Sequence, residues 1–212
     1  LKKNNKEVLL IEAGENLPLD SSPSYSTLEM EQKYKNGGLT PTINNPKITY
    51  VEGSCLGGGS EVNSGFYHRL PDEMMKSWRR GSNILQFEKS DLEPHYEKIE
   101  KEISVSYIPN TSDIAKASLK LKEGADKLGW ENLEIPRWFK FRNGKGTKQS
   151  MTETYIKWYL DSGGKLLSQI KANKLKRIKD FWVITCENLK TKEIIKIQSK
   201  FVFLCCGAIN TP

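Results

Sequence analysis

Long hydrophobic runs are missing from this sequence. No apolar stretch approaches the roughly 20 residues needed to cross a bilayer, and only 37% of the chain is hydrophobic. Histidine is scarce: His68 and His95 are the only two, so a His-rich metal site is not expected. The four cysteines, Cys55, Cys186, Cys205 and Cys206, have no CxxC spacing. That argues against both a metal site and a disulfide framework. They read instead as small buried hydrophobes, with Cys205 and Cys206 on opposite faces of a strand. The net charge is +7, but no single-sign stripe with interleaved aromatics stands out. Lysines alternate with acids at 98–101 and 116–127, as on solvated helix faces, so no nucleic-acid partner is expected. No G-x-G-x-x-G turn occurs either.

What the chain does have is Glu52–Arg69, E-G-S-C-L-G-G-G-S-E-V-N-S-G-F-Y-H-R. Three glycines in a row, Gly57, Gly58 and Gly59, open backbone angles closed to other residues. They also let N–H groups approach a ligand as a concave anion site. Ser60 is placed to cap a following turn, and Asn63 offers both a donor and an acceptor. Taken alone, three glycines are equally a flexible turn.

A second element lies near the start. Lys6–Gly14 is a continuous Val/Leu/Ile run closing on Glu12, Ala13 and Gly14, the pattern of a strand buried on both faces in a parallel sheet. In a dinucleotide-binding βαβ unit the acid ending the second strand bonds the ribose, about 20 residues after the glycine turn. Counting back from Glu12 puts that turn before Leu1, so we expect a chain truncated at both ends. A third element, Phe201–Cys206, reads as another doubly buried strand, with Gly207 and Ala208 turning at its carboxyl end. Ligands meet α/β sheets at such ends.

The pattern G-x-x-L-G-G-G-S-x-V-N-x-x-x-Y-x-R resembles the first signature of the glucose–methanol–choline (GMC) flavin oxidoreductases. Gly207–Pro212, G-A-I-N-T-P, matches the opening of that family's second signature. Ser54 departs from a position where a basic residue is common, and Leu70 from one where a small residue or proline is expected. Y-K-N-G-G-L-T-P-T and Gly146–Ser150 resemble the long-chain alcohol oxidase subgroup, although that subgroup's cysteines near residues 130–146 are missing here.

The resemblance implies an FAD/NAD(P)-binding Rossmann-like α/β fold with an incomplete parallel sheet, helices and a small antiparallel β-meander. The whole of 1–212 would be the FAD-binding part, with cofactor-domain elements at 1–70 and 148–212 and a mostly helical insertion at 71–147. Glu12, Ala13 and Gly14 would meet the FAD ribose, Gly57–Ser60 the pyrophosphate, and Ala172 the adenine. Asn63, Ser64 and Gly65 would lie near the flavin, with Gly207 and Ala208 completing the set. The flavin is expected to be non-covalent, because Val62 stands where some members carry the linking histidine. The implied reaction is hydride transfer from a small-molecule alcohol to FAD, with the electron acceptor unassigned. The proton-abstracting histidine belongs to the family's C-terminal part, so neither His68 nor His95 is a catalytic base. The alternatives are a non-catalytic flavin-fold binding module and a flavoprotein reductase using a nicotinamide donor. The compartment stays open, with the cytoplasm favoured; a chain beginning at Leu1 leaves a signal peptide undecided.

At the level of elements, the pattern predicts a parallel sheet of Glu7–Ile11, Lys165–Ile170 and Phe201–Cys206, with a meander over 175–199. Helices are expected at Glu29–Lys35, from Pro71, at Asp91–Val105, at Asp113–Leu128 and from Thr152. Residues 130–146 read as irregular.

Overall fold

A computed structural model describes residues 6–82, 88–109 and 116–211. In chain order these form β1 (Leu9–Ile11), α1 (Thr27–Lys33), β2 (Thr40–Pro41), β3 (Thr49–Tyr50), α2 (Gly59–Val62), α3 (Asp72–Ser82) and α4 (Lys89–Glu102). There follow β4 (Val105–Ser106), α5 (Lys116–Lys127), β5 (Arg137–Arg142), β6 (Lys145–Lys148) and α6 (Tyr155–Asp161). The chain closes with β7 (Lys165–Leu167), β8 (Ile170–Ile178), β9 (Phe181–Asn188), β10 (Ile194–Ser199) and α7 (Gly207–Asn210). The fold is mixed α/β with parallel and antiparallel pairings. It divides into two compact units, 1–63 with 151–212, and 64–150.

In the first unit, β1 runs parallel to β7, Leu10 facing Leu166. The pairing continues past the strands: Glu12 N donates to Leu167 O at 2.9 Å, and Ile170 N donates to Glu12 O at 2.9 Å. Tyr159 on α6 ties the start of both strands, its one hydroxyl proton shared between Lys165 O at 2.6 Å and Val8 O at 2.9 Å. The meander is antiparallel in the order β10-β9-β8. Its inner face holds the core of Ile170, Ile184 and Cys186, joined by Ile11, Leu175, Trp182, Ile195, Ile197 and Val202. The run 175–187 forms two strands of the expected meander, because Lys179 takes φ 52° and turns the chain at Lys179–Asp180. Likewise Gln169 at φ 58° separates β7 from β8.

The expected strand Phe201–Cys206 is not formed: residues 201–205 pair with no strand. A doubly buried strand needs ladder partners and cover on both faces, and among the described residues this run has neither. Val202 alone packs on the core, while Phe201 and Phe203 are 78% and 73% exposed. Cys205 and Cys206 are consequently exposed, against the expectation of four buried thiols; Cys55 and Cys186 are buried.

Helix starts follow capping chemistry. Ser26 Oγ accepts from Glu29 N at 3.1 Å while Glu29 takes the Tyr25 amide at 2.6 Å. That sets α1 two residues earlier than the expected Glu29–Lys35. Tyr34 is extended and Asn36 has φ 51°, which ends it.

In the second unit, α3 matches the helix expected after Pro71, with Met75 buried. Helix α4 begins with a Glu88/Asp91 capping box and stops before Ser104, whose φ of 54° leaves Val105 in β4 rather than in the helix. The start expected at Asp113 and Ile114 lies outside the described residues, and α5 covers the rest. Residues 130–146 are more regular than expected: β4-β5-β6 is a three-stranded antiparallel sheet. Asn143 and Gly144, at φ 49° and 76°, make the left-handed two-residue turn that joins β5 to β6.

Candidate functional site

The end of β1 and the glycine loop meet in the first unit. Gly14 is buried against the segment that leads into the glycine loop: a Cβ there would stand 2.3 Å from Ser54 O. Glu15 and Cys55 form a parallel bridge, and Leu56 N donates to Glu15 O at 2.8 Å. Only glycine permits this approach. Gly53 is equally tight, its absent Cβ 2.4 Å from Gly58 backbone.

Glu12 lies half-buried beside this junction, and its Oε1 accepts the Gly14 amide at 2.7 Å. Burial holds its carboxyl above the usual carboxylate range, and the Gly14 and Ala13 amides offset part of that rise. A desolvated carboxylate gains from hydroxyl donors. Ala172 sits two residues beyond Ile170, whose amide bonds Glu12 O. It is exposed, next to the bulge between Ala172 and Lys174.

Within the loop the glycines differ. Gly57 has φ 90°, and a Cβ there would stand 2.3 Å from Glu61 Oε1, so its position is dictated from beneath. Gly58 (φ 52°) and Gly59 have no heavy atom within 4 Å of a Cβ position. No side chain crowds these two positions, while the Gly58 amide donates to Cys55 O at 2.9 Å and Glu61 N to Gly58 O at 3.0 Å within the turn. Ser60 Oγ donates to Gly57 O at 2.7 Å and accepts from Met151 N at 3.0 Å. The turn ends with Asn63 N donating to Gly59 O at 3.0 Å.

Gly207 and Ala208 open α7, Gly207 at φ 77° with open space where a Cβ would be. Asn210 Nδ2 reaches Glu52 Oε1 at 2.6 Å, one residue from Gly53. Glu12, Ala13, Gly14, Gly57–Ser60, Asn63, Ala172, Gly207 and Ala208 therefore belong to one unit. Ser64 and Gly65 begin the other. There Gly65 (φ 68°) underlies Trp138, with 2.4 Å between its Cβ position and Nε1.

The sequence reading missed two supports. Glu61 is 3% exposed, and its Oε1 accepts from Thr152 Oγ1 at 2.9 Å and Thr152 N at 3.3 Å. Lys33 is 1% exposed, with Nζ donating to Leu19 O and its own carbonyl accepting Ser54 N, both at 2.7 Å. Charged residues of this kind read as surface in a sequence; for Glu61, the neighbouring glycine was the only signal. Among the described residues no His/Cys/Asp/Glu cluster could hold a metal ion, and no helix is long and apolar enough to cross a membrane.

A paired strand ending in a half-buried acid, a glycine loop and a second glycine turn lie in one unit, and strand ends of this kind are where α/β sheets meet ligands. The GMC oxidoreductase family model matches residues 30–212, and the chain belongs to that family of flavoprotein oxidoreductases. It is 28% identical to the uncharacterized GMC-type oxidoreductase y4nJ of Sinorhizobium fredii over 97% of this chain and 43% of the relative. It is 25% identical to the long-chain-alcohol oxidase FAO4A of Arabidopsis thaliana over 100% of this chain and 31% of the relative. With FAO4B of the same plant it shares 26% identity over 82% of this chain and 24% of the relative. The chain thus spans less than half the length of these curated relatives.

Proposed function

We propose that this chain supplies the FAD-binding surface of a flavoprotein that oxidises an alcohol. The observation that carries the reading is the junction of Gly14 with Ser54–Leu56, which brings the strand ending in the half-buried Glu12 against the segment that leads into the glycine loop. The residues fit the cofactor in kind: Glu12 would accept the ribose hydroxyls, and the backbone at Ala172 would border the adenine. The Gly57–Ser60 turn, whose Gly58 and Ser60 amides already donate to Cys55 O and Gly57 O, would face the pyrophosphate with its open glycine sides, and the Gly207–Ala208 turn would complete the cradle. Asn63 offers its amide toward the flavin end. The bound flavin supplies the hydride acceptor; these side chains hold and orient it and are not themselves acid–base groups. Neither His68 nor His95 is assigned a catalytic role. The similarity to long-chain-alcohol oxidases supports an alcohol as the electron donor, and Val62, immediately before Asn63, supports a flavin held without a covalent link.

The test is anaerobic reduction of the purified full-length gene product. Bleaching of bound flavin by a series of aliphatic alcohols is expected. Bleaching by a nicotinamide donor and by no alcohol would contradict the reading.

A further inference from the structure

The net charge of this protein is concentrated in one part of it. Residues 165–200 hold ten of the 33 Lys and Arg but only three of the 26 Asp and Glu, a surplus equal to the whole chain's +7. The rest of the sequence is neutral in balance. Those residues are β7 and the three-stranded meander.

Strand register sorts the meander's charges by face, because directly opposed residues of antiparallel strands share a face. Ile184 and Cys186 of β9 point into the core. The alternate residues Val183, Thr185 and Glu187 therefore define the outer face. Opposite them stand Lys176, Lys174 and Lys171 on β8, and Gln198, Lys196 and Ile194 on β10. All four of these lysines are exposed. Among the described residues no ion pair engages Lys171, Lys174, Lys176 or Lys196; Glu187, the acid on this face, is taken by Lys192 at 3.3 Å. Apolar side chains share the same face: Ile178, Phe181 and Ile194 are 48%, 44% and 62% exposed.

Four lysines without an ion pair among the described residues and three exposed apolar side chains thus lie together on one sheet face. We infer that this outer face of the meander docks on an anionic lipid surface. Phosphate headgroups would take the ammonium groups of Lys171, Lys174, Lys176 and Lys196, while Ile178, Phe181 and Ile194 enter the headgroup–acyl boundary. The charge pattern selects an anionic partner. Single-stranded nucleic acid is less well matched, because base stacking needs several aromatic platforms and this face offers Phe181 alone. Of the cofactor residues named above, Ala172 lies on the meander, opposite Cys186 on its other face, and the inference stands without the cofactor assignment.

The test is co-sedimentation of the full-length gene product with phosphatidylserine–phosphatidylcholine vesicles and with phosphatidylcholine vesicles. Binding that requires phosphatidylserine and weakens with salt is expected. The Lys174→Gln/Lys176→Gln/Lys196→Gln variant should lose roughly fivefold per lysine, on the order of a hundredfold in all. A Lys98→Gln/Lys116→Gln/Lys145→Gln variant, with the same charge change in the other unit, should bind as the parent does. Both variants replace exposed side chains, and matching circular dichroism spectra establish that they fold. No phosphatidylserine dependence in the parent, an equal loss in the second variant, or tighter binding to a DNA oligonucleotide than to the vesicles would overturn the inference.

Discussion

Gly57 and Glu61 compete for one space: the carboxylate of Glu61 occupies the volume a Cβ at Gly57 would need, with 2.3 Å between that position and Oε1. The loop is held from below by this carboxylate and its Thr152 donors. Gly57→Ala adds both the clash and a side chain at φ 90°, costing about 1–3 kcal/mol. In a Glu61→Ala background the same substitution should cost less, because the clash is gone. Urea unfolding of the four proteins in the cycle measures the coupling; strictly additive losses would contradict it.

Glu12 makes the flavin-free protein pH-sensitive. Its carboxyl is raised by burial above its value in the unfolded chain, so folding favours the protonated form. That contribution is fully present below the unfolded pKa and is lost as pH rises through the folded one. Glu12→Gln should therefore stabilise the flavin-free protein at neutral pH and flatten its melting profile between acid and neutral pH. A variant melting lower than the parent at neutral pH would count against the assignment.

These two residues show what a sequence discloses. The strand-end position of Glu12 and the turns at Gly57–Gly59 and Gly207 were legible because such acids and glycine turns are local patterns, and strands β1 and β7 and the meander followed from continuous or alternating apolar runs. Glu61 and Lys33 were not legible, since a buried charge is identified by what folds over it, and Thr152 lies 91 residues from Glu61. The Phe201–Cys206 run failed for a related reason. Its composition suits a central strand, but a strand exists only with neighbours, and the run pairs with none among the described residues. The β5–β6 hairpin was there to be read in Asn143-Gly144; the surrounding arginines and lysines masked the alternation of Trp138, Lys140 and Arg142 with Phe139 and Phe141.

In the second unit, Arg69 holds Glu100 through Nε at 2.5 Å and Nη2 at 2.7 Å, and binds Glu93 through Nη1. The guanidinium keeps the Glu100 carboxyl below its ordinary range. A depressed carboxyl contributes stability present above its unfolded pKa and lost as pH falls through the folded one. Arg69→Met should lower stability at neutral pH and reduce the loss on acidification, read from melting curves. Unchanged acid sensitivity would contradict the pairing.

Burial and the nearby Glu100 charge push Tyr67 up to about 12. Ultraviolet titration should show a tyrosine ionising there that disappears in Tyr67→Phe. Persistence of that class in the variant would assign the shift elsewhere.

Val62 precedes Asn63, and its carbonyl accepts the Tyr34 hydroxyl at 3.2 Å. It carries no group able to bond the flavin. Acid precipitation of the full-length gene product should leave a colourless pellet and a yellow supernatant; flavin retained in the pellet would contradict a non-covalent cofactor.

The most direct measurement of the central claim is the FAD dissociation constant of the full-length gene product, stripped of flavin, beside its Glu12→Ala variant. Loss of the ribose acceptor should weaken FAD by about 1–3 kcal/mol, roughly 5- to 150-fold, while flavin mononucleotide, which lacks the adenosine ribose, binds both proteins alike. Equal FAD affinity in the two proteins, with both folded, would contradict the placement of the dinucleotide on Glu12 and the glycine loop.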